Sequence, residues 1–245
     1  MGVKLVQTGD GSFTYWNDRY RQCYHSVKEG AIAESYFKHC KPGFEWGEQN
    51  RFWGGEVRIL DICFGLGYNS WVTLLHRPPG VKIEIISPEL DRELVKSLVT
   101  FPYPSQFTPL RPVIEAVAER GSYSDGEVSI KVEFGRAEEI IPHLPDNYFH
   151  LIYQDPFSEK SNPELWSEEF LAQLSRLLHP TGMATTYATA RKIRERLQKV
   201  GFYLYRHPYP EVKRGTIFSK LPSLPFPAVT VPTGVSGEKV SKGER

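Results

Sequence analysis

Asp61, Gly65, Gly67 and Asn69 fall within nine residues, Asp61-Ile62-Cys63-Phe64-Gly65-Leu66-Gly67-Tyr68-Asn69. An apolar run ends there, two glycines permit a sharp turn, and helical spacing follows. Such a turn lets the main chain approach a ligand closely and aims helix N–H groups at it. A dinucleotide site asks for Gly-x-Gly-x-x-Gly, and Ser70 stands at its sixth position. An acid just before the turn suits a cationic ligand better. S-adenosyl-L-methionine carries an ammonium and a sulfonium where NAD carries a pyrophosphate. A strand-to-helix turn that binds nothing would have the same pattern. Glu89 closes a second apolar stretch, 24 positions after Gly65. An acid there can accept both ribose hydroxyls of an adenosine. The alternative is an acid favoured by a helix dipole.

Asp155-Pro156-Phe157 ends a third apolar stretch. An amine that attacks a methyl sulfonium must be neutral and must aim its lone pair in line. A carboxylate with a neighbouring carbonyl can accept its N–H bonds and orient it. Phe157 can stack on a ring or face developing positive charge. A strand-ending Asp that caps a turn, with Phe157 in the core, is equally compatible with the tripeptide. Charge placement is the fourth signal. The chain has 245 residues, 30 Lys and Arg, 29 Asp and Glu, and a net charge of +1. Residues 191–245 nevertheless hold 12 cations against 4 anions, and residues 1–190 hold 18 against 25. Arg191, Lys192, Arg194, Lys213 and Arg214 belong to that basic run, which fits a phosphate-binding footprint or a solvated helix face.

Elements must position these groups. Residues 57–63, 81–87, 128–134, 149–154 and 183–187 read as strands, with helical patterns between them. Residues 202–207 and 216–219 read as a closing hairpin. This predicts an α/β, Rossmann-like fold with a mostly parallel seven-stranded sheet and an antiparallel edge hairpin. Helices are expected over 88–100 and over 162–178, the latter capped by Asn162. Residues 1–55 carry eleven aromatic side chains among Phe13 to Trp53 and predict a small strand-and-helix cap. Residues 56–220 form the main domain, and 221–245 an extended, poorly packed tail. Cys23, Cys40 and Cys63 are widely spaced, and the seven histidines lack ligand spacing, so no metal site is expected. No apolar run reaches the roughly 18 residues that span a bilayer. A cytoplasmic, reduced protein is expected, and the sequence fixes no oligomeric state.

In this order the motifs resemble the methyltransferase domain of the bacterial tRNA 5-methylaminomethyl-2-thiouridine biosynthesis protein. The likeness runs from about Asn17 to Lys220. It includes Asn17-Asp18, Tyr24-His25-Ser26, Cys63-Phe64-Gly65-Leu66-Gly67-Tyr68-Asn69 and His179-Pro180-Thr181-Gly182 through Tyr187. Most specific is Asp155-Pro156-Phe157 through Asn162-Pro163-Glu164-Leu165-Trp166. Cys63 and Pro156 replace glycines of the family pattern, and Glu159 a proline. Arg136 stands where an acid near the adenine is usual, which shifts that contact to backbone near Ala137.

The resemblance implies N-methylation, dependent on S-adenosyl-L-methionine, of the aminomethyl group of 5-aminomethyl-(2-thio)uridine at the tRNA wobble position. It implies a stand-alone form without the family's FAD oxidase domain. Asp61, Gly65, Gly67, Asn69, Glu89, Ala137 and Asp155 would hold the methyl donor. Asp155 would orient and deprotonate the amine, and Phe157 would hold the base. Trp166, Arg191, Lys192, Arg194, Lys213 and Arg214 would meet the tRNA. The rivals are an aminopropyltransferase of the spermidine synthase type, a non-catalytic RNA-binding protein of the same fold, and a nicotinamide oxidoreductase.

Overall fold

Val57, Ile59, Leu60 and Ile62 are all buried, and a strand apolar on both faces belongs in the middle of a covered parallel sheet. The computed structural model describes residues 3–229. Strands β1 (Val3–Gln7), β2 (Phe13–Asn17) and β3 (Gln22–Cys23) form a small antiparallel sheet. Helix α1 (Ala31–Ser35) runs through a π-helical turn into α2 (Lys41–Gln49). A left-handed turn, α3 (Phe52–Gly55), follows, and its Trp53 stacks on His150 with centroids 4.6 Å apart. The main body then alternates: β4 (Glu56–Ile62), α4 (Tyr68–Leu75), β5 (Lys82–Glu89), α5 (Arg92–Ser97), α6 (Arg111–Arg120), β6 (Ser122–Ser124), β7 (Val128–Phe134), α7 (Ala137–Ile140), β8 (Phe149–Gln154), α8 (Glu168–Leu177), β9 (Leu178–Thr186), α9 (Arg191–Lys199), β10 (Tyr203–Arg206) and β11 (Thr216–Ser219).

The large sheet has the order β10-β11-β9-β8-β4-β5-β7-β6. Strands β4, β5, β7, β8 and β9 are parallel, whereas β6, β10 and β11 are antiparallel to their neighbours. The chain proceeds outward from β4 to β7 and then returns to β8 on the other side of β4. That reversal opens a crevice at the carboxyl ends of β4 and β8, where ligands bind in such sheets. One apolar cluster, with Trp71, Val95 and Val117, covers one face, and another, with Phe170, Leu174 and Leu197, covers the other. Ala31 and Cys40 belong to the first cluster, so the helices of the N-terminal segment share the main core rather than merely covering it.

Four expectations need correction. The sheet has eight strands, because Ser122–Ser124 adds a three-residue edge too short for a period-two pattern to register. Pro88 and Glu89 remain in β5, paired with Glu133 and Phe134, and the next helix starts at Arg92 behind an Asp91 cap. The helix expected over 162–178 is broken. Asn162 makes no cap bond, a 3-10 turn occupies Pro163–Trp166, and Ser167 caps α8 by accepting the Phe170 N–H at 3.1 Å. Finally, residues 221–229 are packed. Leu224 and Phe226 are buried, the Arg206 N–H donates to the Pro227 carbonyl at 2.6 Å, and Val229 donates to Leu204. The rest of the expected tail, 230–245, lies outside the described residues.

Candidate active site

Three residues with positive φ, Cys63, Gly65 and Gly67, turn the chain from β4 into α4. The two glycines serve different needs. A Cβ on Gly65 would sit 3.2 Å from the Tyr24 ring, whereas one on Gly67 would strike the Trp71 indole at 2.5 Å. Gly65 therefore makes room at the ligand face, and Gly67 makes room inside the helix packing. The Gly65 N–H donates to Glu89 Oε2 at 2.9 Å, and the Asp91 N–H to Oε1 at 2.7 Å. These bonds tie the ends of β4 and β5 together. Burial pushes the Glu89 carboxyl up, against those two bonds.

Asp61 is fully buried. Its carboxylate accepts Asn69 Nδ2 and Ser70 Oγ, each at 3.2 Å. Burial pushes it up to about 8, with the nearby Asp155 and Glu89 adding to the rise and the Asn69 and Ser70 bonds opposing it. Asn69 Nδ2 also donates to Asp155 Oδ2 at 3.0 Å, so the carboxamide bridges the two acids. Asn69 Oδ1 is buried with no donor. His39 lies behind Asp155, with Nε2 3.6 Å from Oδ2 and Nδ1 2.7 Å from Thr185 Oγ1. The Pro156 carbonyl accepts the Tyr187 hydroxyl at 2.9 Å. The Phe157 carbonyl accepts the Trp166 indole N–H at 2.9 Å. The Phe157 ring lies against Tyr20 and Tyr24, at 4.7 and 5.0 Å between centroids.

A cavity of about 460 Å³ opens between these strand ends and the N-terminal segment. Gly65, Asn69, Asp155 and Phe157 border it on the sheet side, and Tyr24, His25 and Glu34 on the other. A second cavity, of about 310 Å³, adjoins it beside Gly135, Arg136 and Ala137. Cys63, Glu89 and Phe157 border both. The pair suits a long ligand with a polar, cationic end, a ribose at Glu89 and a flat ring beside Ala137. The donor-less Asn69 oxygen meets the need of an ammonium, and each Glu89 oxygen keeps a lone pair for a hydroxyl. S-adenosyl-L-methionine fits this donor and acceptor set.

The structure thus brings Gly65, Asn69, Glu89, Ala137, Asp155 and Phe157 to one connected space. Eight expected site residues do not belong to its wall, five of them the cations of the basic run. Asp61 sits behind Asn69 and acts on the cavity only through it. Gly67 answers to packing. Trp166 is 1% exposed and spends its N–H on Phe157, so it braces the loop and offers nothing to an RNA. The basic residues lie on and near α9. Arg191 pairs with Glu195, while Lys192 and Arg196 both pair with Glu159. The glutamate that departs from the family pattern therefore fastens α9 to the Asp155–Trp166 loop. Arg194 Nε donates to Thr216 Oγ1 at 3.1 Å, and Lys213 and Arg214 are exposed. Arg136 is paired with Glu138 at the rim of the second cavity, which leaves the backbone near Ala137 for a ring. Sequence reading assigned no task to His25, Glu34 or Tyr187. His25 carried a signal within Tyr24-His25-Ser26 and Tyr187 at the end of the His179–Tyr187 motif, both through resemblance only, and Glu34 carried none.

The comparisons agree with this geometry. The model of a family described as S-adenosyl-L-methionine-dependent methyltransferase matches residues 106–222. An uncharacterised protein of Methanocaldococcus jannaschii is 26% identical over 213 residues, covering 86% of this chain and 57% of that one. The tRNA 5-methylaminomethyl-2-thiouridine biosynthesis bifunctional protein MnmC of Pseudomonas savastanoi pv. phaseolicola is 30% identical over 181 residues, covering 67% of this chain. The chain spans only 27% of that relative's length. The crystal structure of MNMC2 from Aquifex aeolicus superposes with a TM-score of 0.80 and 32% identity, covering 94% of this chain and 73% of that one. No helix among the described residues is long and apolar enough to cross a membrane. With the crevice at the β4–β8 reversal and its matching acceptors, the chain belongs to the family of S-adenosyl-L-methionine-dependent methyltransferases that includes MNMC2.

Proposed function

We propose that this methyltransferase acts on tRNA in the cytoplasm, methylating the exocyclic amine of 5-aminomethyl-(2-thio)uridine at the wobble position. The observation that carries this is Asp155 at the cavity floor beside an aromatic clamp of Phe157, Tyr20 and Tyr24. A carboxylate suits an amine nucleophile, and the rings suit a planar base. S-adenosyl-L-methionine supplies a methyl group on a positively charged sulfur. Asn69 would accept its ammonium, Glu89 its ribose hydroxyls, and the backbone at Ala137 would border its adenine. Asp155 would accept an N–H of the substrate amine and so aim the lone pair. The bonds from Tyr187 and Trp166 to the carbonyls of Pro156 and Phe157 keep that loop in place.

The charge pattern supports an RNA partner. Arg191, Lys192, Arg196 and Lys199 are each paired with an acid. Arg206 and Arg214 have no ion-pair partner among the described residues and lie near Arg194. Burial and these two charges push the Arg194 guanidinium down. Arg206 and Arg194 both meet Thr216, which pairs with Thr186, the residue before Tyr187 at the cavity rim. Within this basic run Arg194, Arg206, Lys213 and Arg214 carry no ion pair with an acid among the described residues and would meet phosphates, while Arg191 and Lys192 would add only through exchange of partners. The test is mass spectrometry of nucleosides from tRNA bearing 5-aminomethyl-2-thiouridine, incubated with protein and S-adenosyl-L-methionine. Gain of one methyl on that nucleoside is expected. An unchanged nucleoside would overturn the substrate assignment.

A further inference from the structure

The cavity wall contributed by the N-terminal segment holds a buried charged group with no task in the reaction so far. His25 borders the cavity and is 8% exposed. Its ring stands edge-on to Tyr68, 5.2 Å between centroids, and its main-chain N–H donates to Thr14 Oγ1 at 3.1 Å. Nδ1 is buried without a hydrogen-bond partner, 3.6 Å from Glu34 Oε2. Nε2 has no hydrogen-bond partner among the described residues, and the ring that carries it borders the cavity.

Glu34 is held from behind. Its Oε1 accepts Lys38 Nζ at 2.7 Å and its Oε2 accepts the Ser26 N–H at 2.8 Å. Lys38 is 3% exposed and also donates to Glu29 at 3.0 Å. Burial pushes the Glu34 carboxyl up, but the His25 contact and Lys38 outweigh it and hold it well below the usual carboxylate range. A ring nitrogen that faces a fixed carboxylate carries the proton, and the other nitrogen then presents its lone pair. The charged and titratable groups around the ring are Glu34 from α1, Lys38 from the π turn, Glu29 before α1 and Tyr68 from α4. Arg21, Glu89 and Asp155 border the same cavity.

We propose that His25 accepts the proton that the substrate amine must lose, and that Glu34 is the positioning residue that fixes its tautomer and ring. This rests on the aminomethyl reading above. The substrate's primary ammonium gives one proton to His25 Nε2 and becomes neutral. The amine lone pair forms the N–C bond to the methyl group, and the C–S bonding pair stays on sulfur. The product is a secondary ammonium, and His25 returns its proton to water when the product leaves. Asp155 keeps the orienting task, since its Oδ2 already accepts Asn69 Nδ2.

The test compares pH profiles of kcat/KM for wild type and His25→Ala with aminomethyl-bearing tRNA, with calorimetric S-adenosyl-L-methionine affinity and Tm measured on both. At neutral pH the variant should lose about 10²-fold or more in turnover while binding the methyl donor as wild type does. The loss should shrink as pH rises and the substrate amine deprotonates in solution, and added imidazole should restore part of the rate. Glu34→Gln should lose less and keep the same rescue by alkali. A loss that is equal at every pH and unmoved by imidazole would overturn the role of His25. So would weakened methyl-donor binding with an unchanged kcat. Failure of wild type to methylate the nucleoside at any pH would remove the substrate reading, and the proton acceptor with it.

Discussion

The two walls of the cavity are built in different ways. The sheet wall consists of consecutive strand ends, with β4 paired to both β5 and β8. Ile62 is opposite Gln154, so Cys63 and Asp155 leave the sheet side by side. Main-chain ladders set that spacing at about 4.8 Å between strands. The opposite wall comes from β3, the loop to α1, and α1 itself, and side chains hold it. Gln22 Nε2 donates to Ser158 Oγ at 3.0 Å and also reaches Ser161, while Asn17 Oδ1 accepts the main-chain N–H of Arg19 and Tyr20. The buried acids at the two sides differ as well. Glu34 is locked to Lys38, whereas Asp61, behind the sheet wall, has no cation beside it among the described residues and is pushed up by burial. A ladder tolerates loss of any one side chain, so substitutions in the sheet wall should damage chemistry alone. The other wall depends on a few side-chain bonds, so substitutions there should damage closure.

The largest effect should come from Asp155→Ala. Its neighbours Gln154 and Tyr153 remain in β8, so the fold should survive. Calorimetry should give a methyl-donor Kd close to wild type. Turnover should fall by at least about 10²-fold, the size of a lost orienting group. Near-normal turnover would remove Asp155 from the reaction and leave the sheet wall as a cofactor shelf only.

This asymmetry also explains what could be read in the sequence. Strand-end chemistry is local. Asp61 through Asn69, Glu89 and Asp155-Pro156-Phe157 each follow an apolar run, so the pattern that predicts the strand also places its end. The same logic misplaced Asp61, because spacing cannot say whether a strand-end acid faces a ligand or lies under the next helix. Trp166 was conspicuous by motif, but its indole braces the Phe157 carbonyl from inside. His25 and Glu34 meet only because α1 folds back beside the loop after β3, and no period or spacing announces that. The β6 edge and the Ser167 cap were missed for a similar reason, since each rests on very few residues.

Gln22→Ala tests the wall held by side chains and should have an intermediate effect. The substitution removes bonds to Ser158 and Ser161, each worth about 1 kcal/mol. Methyl-donor Kd and tRNA KM should rise by several-fold to about 30-fold, while kcat at saturation changes little. A fall in kcat equal to that of Asp155→Ala would mean that the two walls do not divide closure from chemistry.

The smallest effect concerns Asp61, and it sharpens the contrast between the two buried acids. The Asp61 carboxyl is pushed from 3.8 in the unfolded chain to about 8 in the fold. A folded-state value above the unfolded one means that its contribution to stability is complete below the unfolded value. It is lost as pH rises through the folded value. The ligand-free protein should therefore lose Tm progressively between about pH 4 and pH 8 from this group. Asp61→Asn cannot ionise and should flatten that slope without changing the fold. Binding of a cationic methyl donor next to Asn69 should pull the Asp61 carboxyl back down and release a proton near neutral pH. Calorimetry in buffers of different ionisation heat should detect that release in wild type and a smaller one in Asp61→Asn. Equal release in both would move the titrating group elsewhere, with Glu89, also pushed up by burial, as the next acid to substitute.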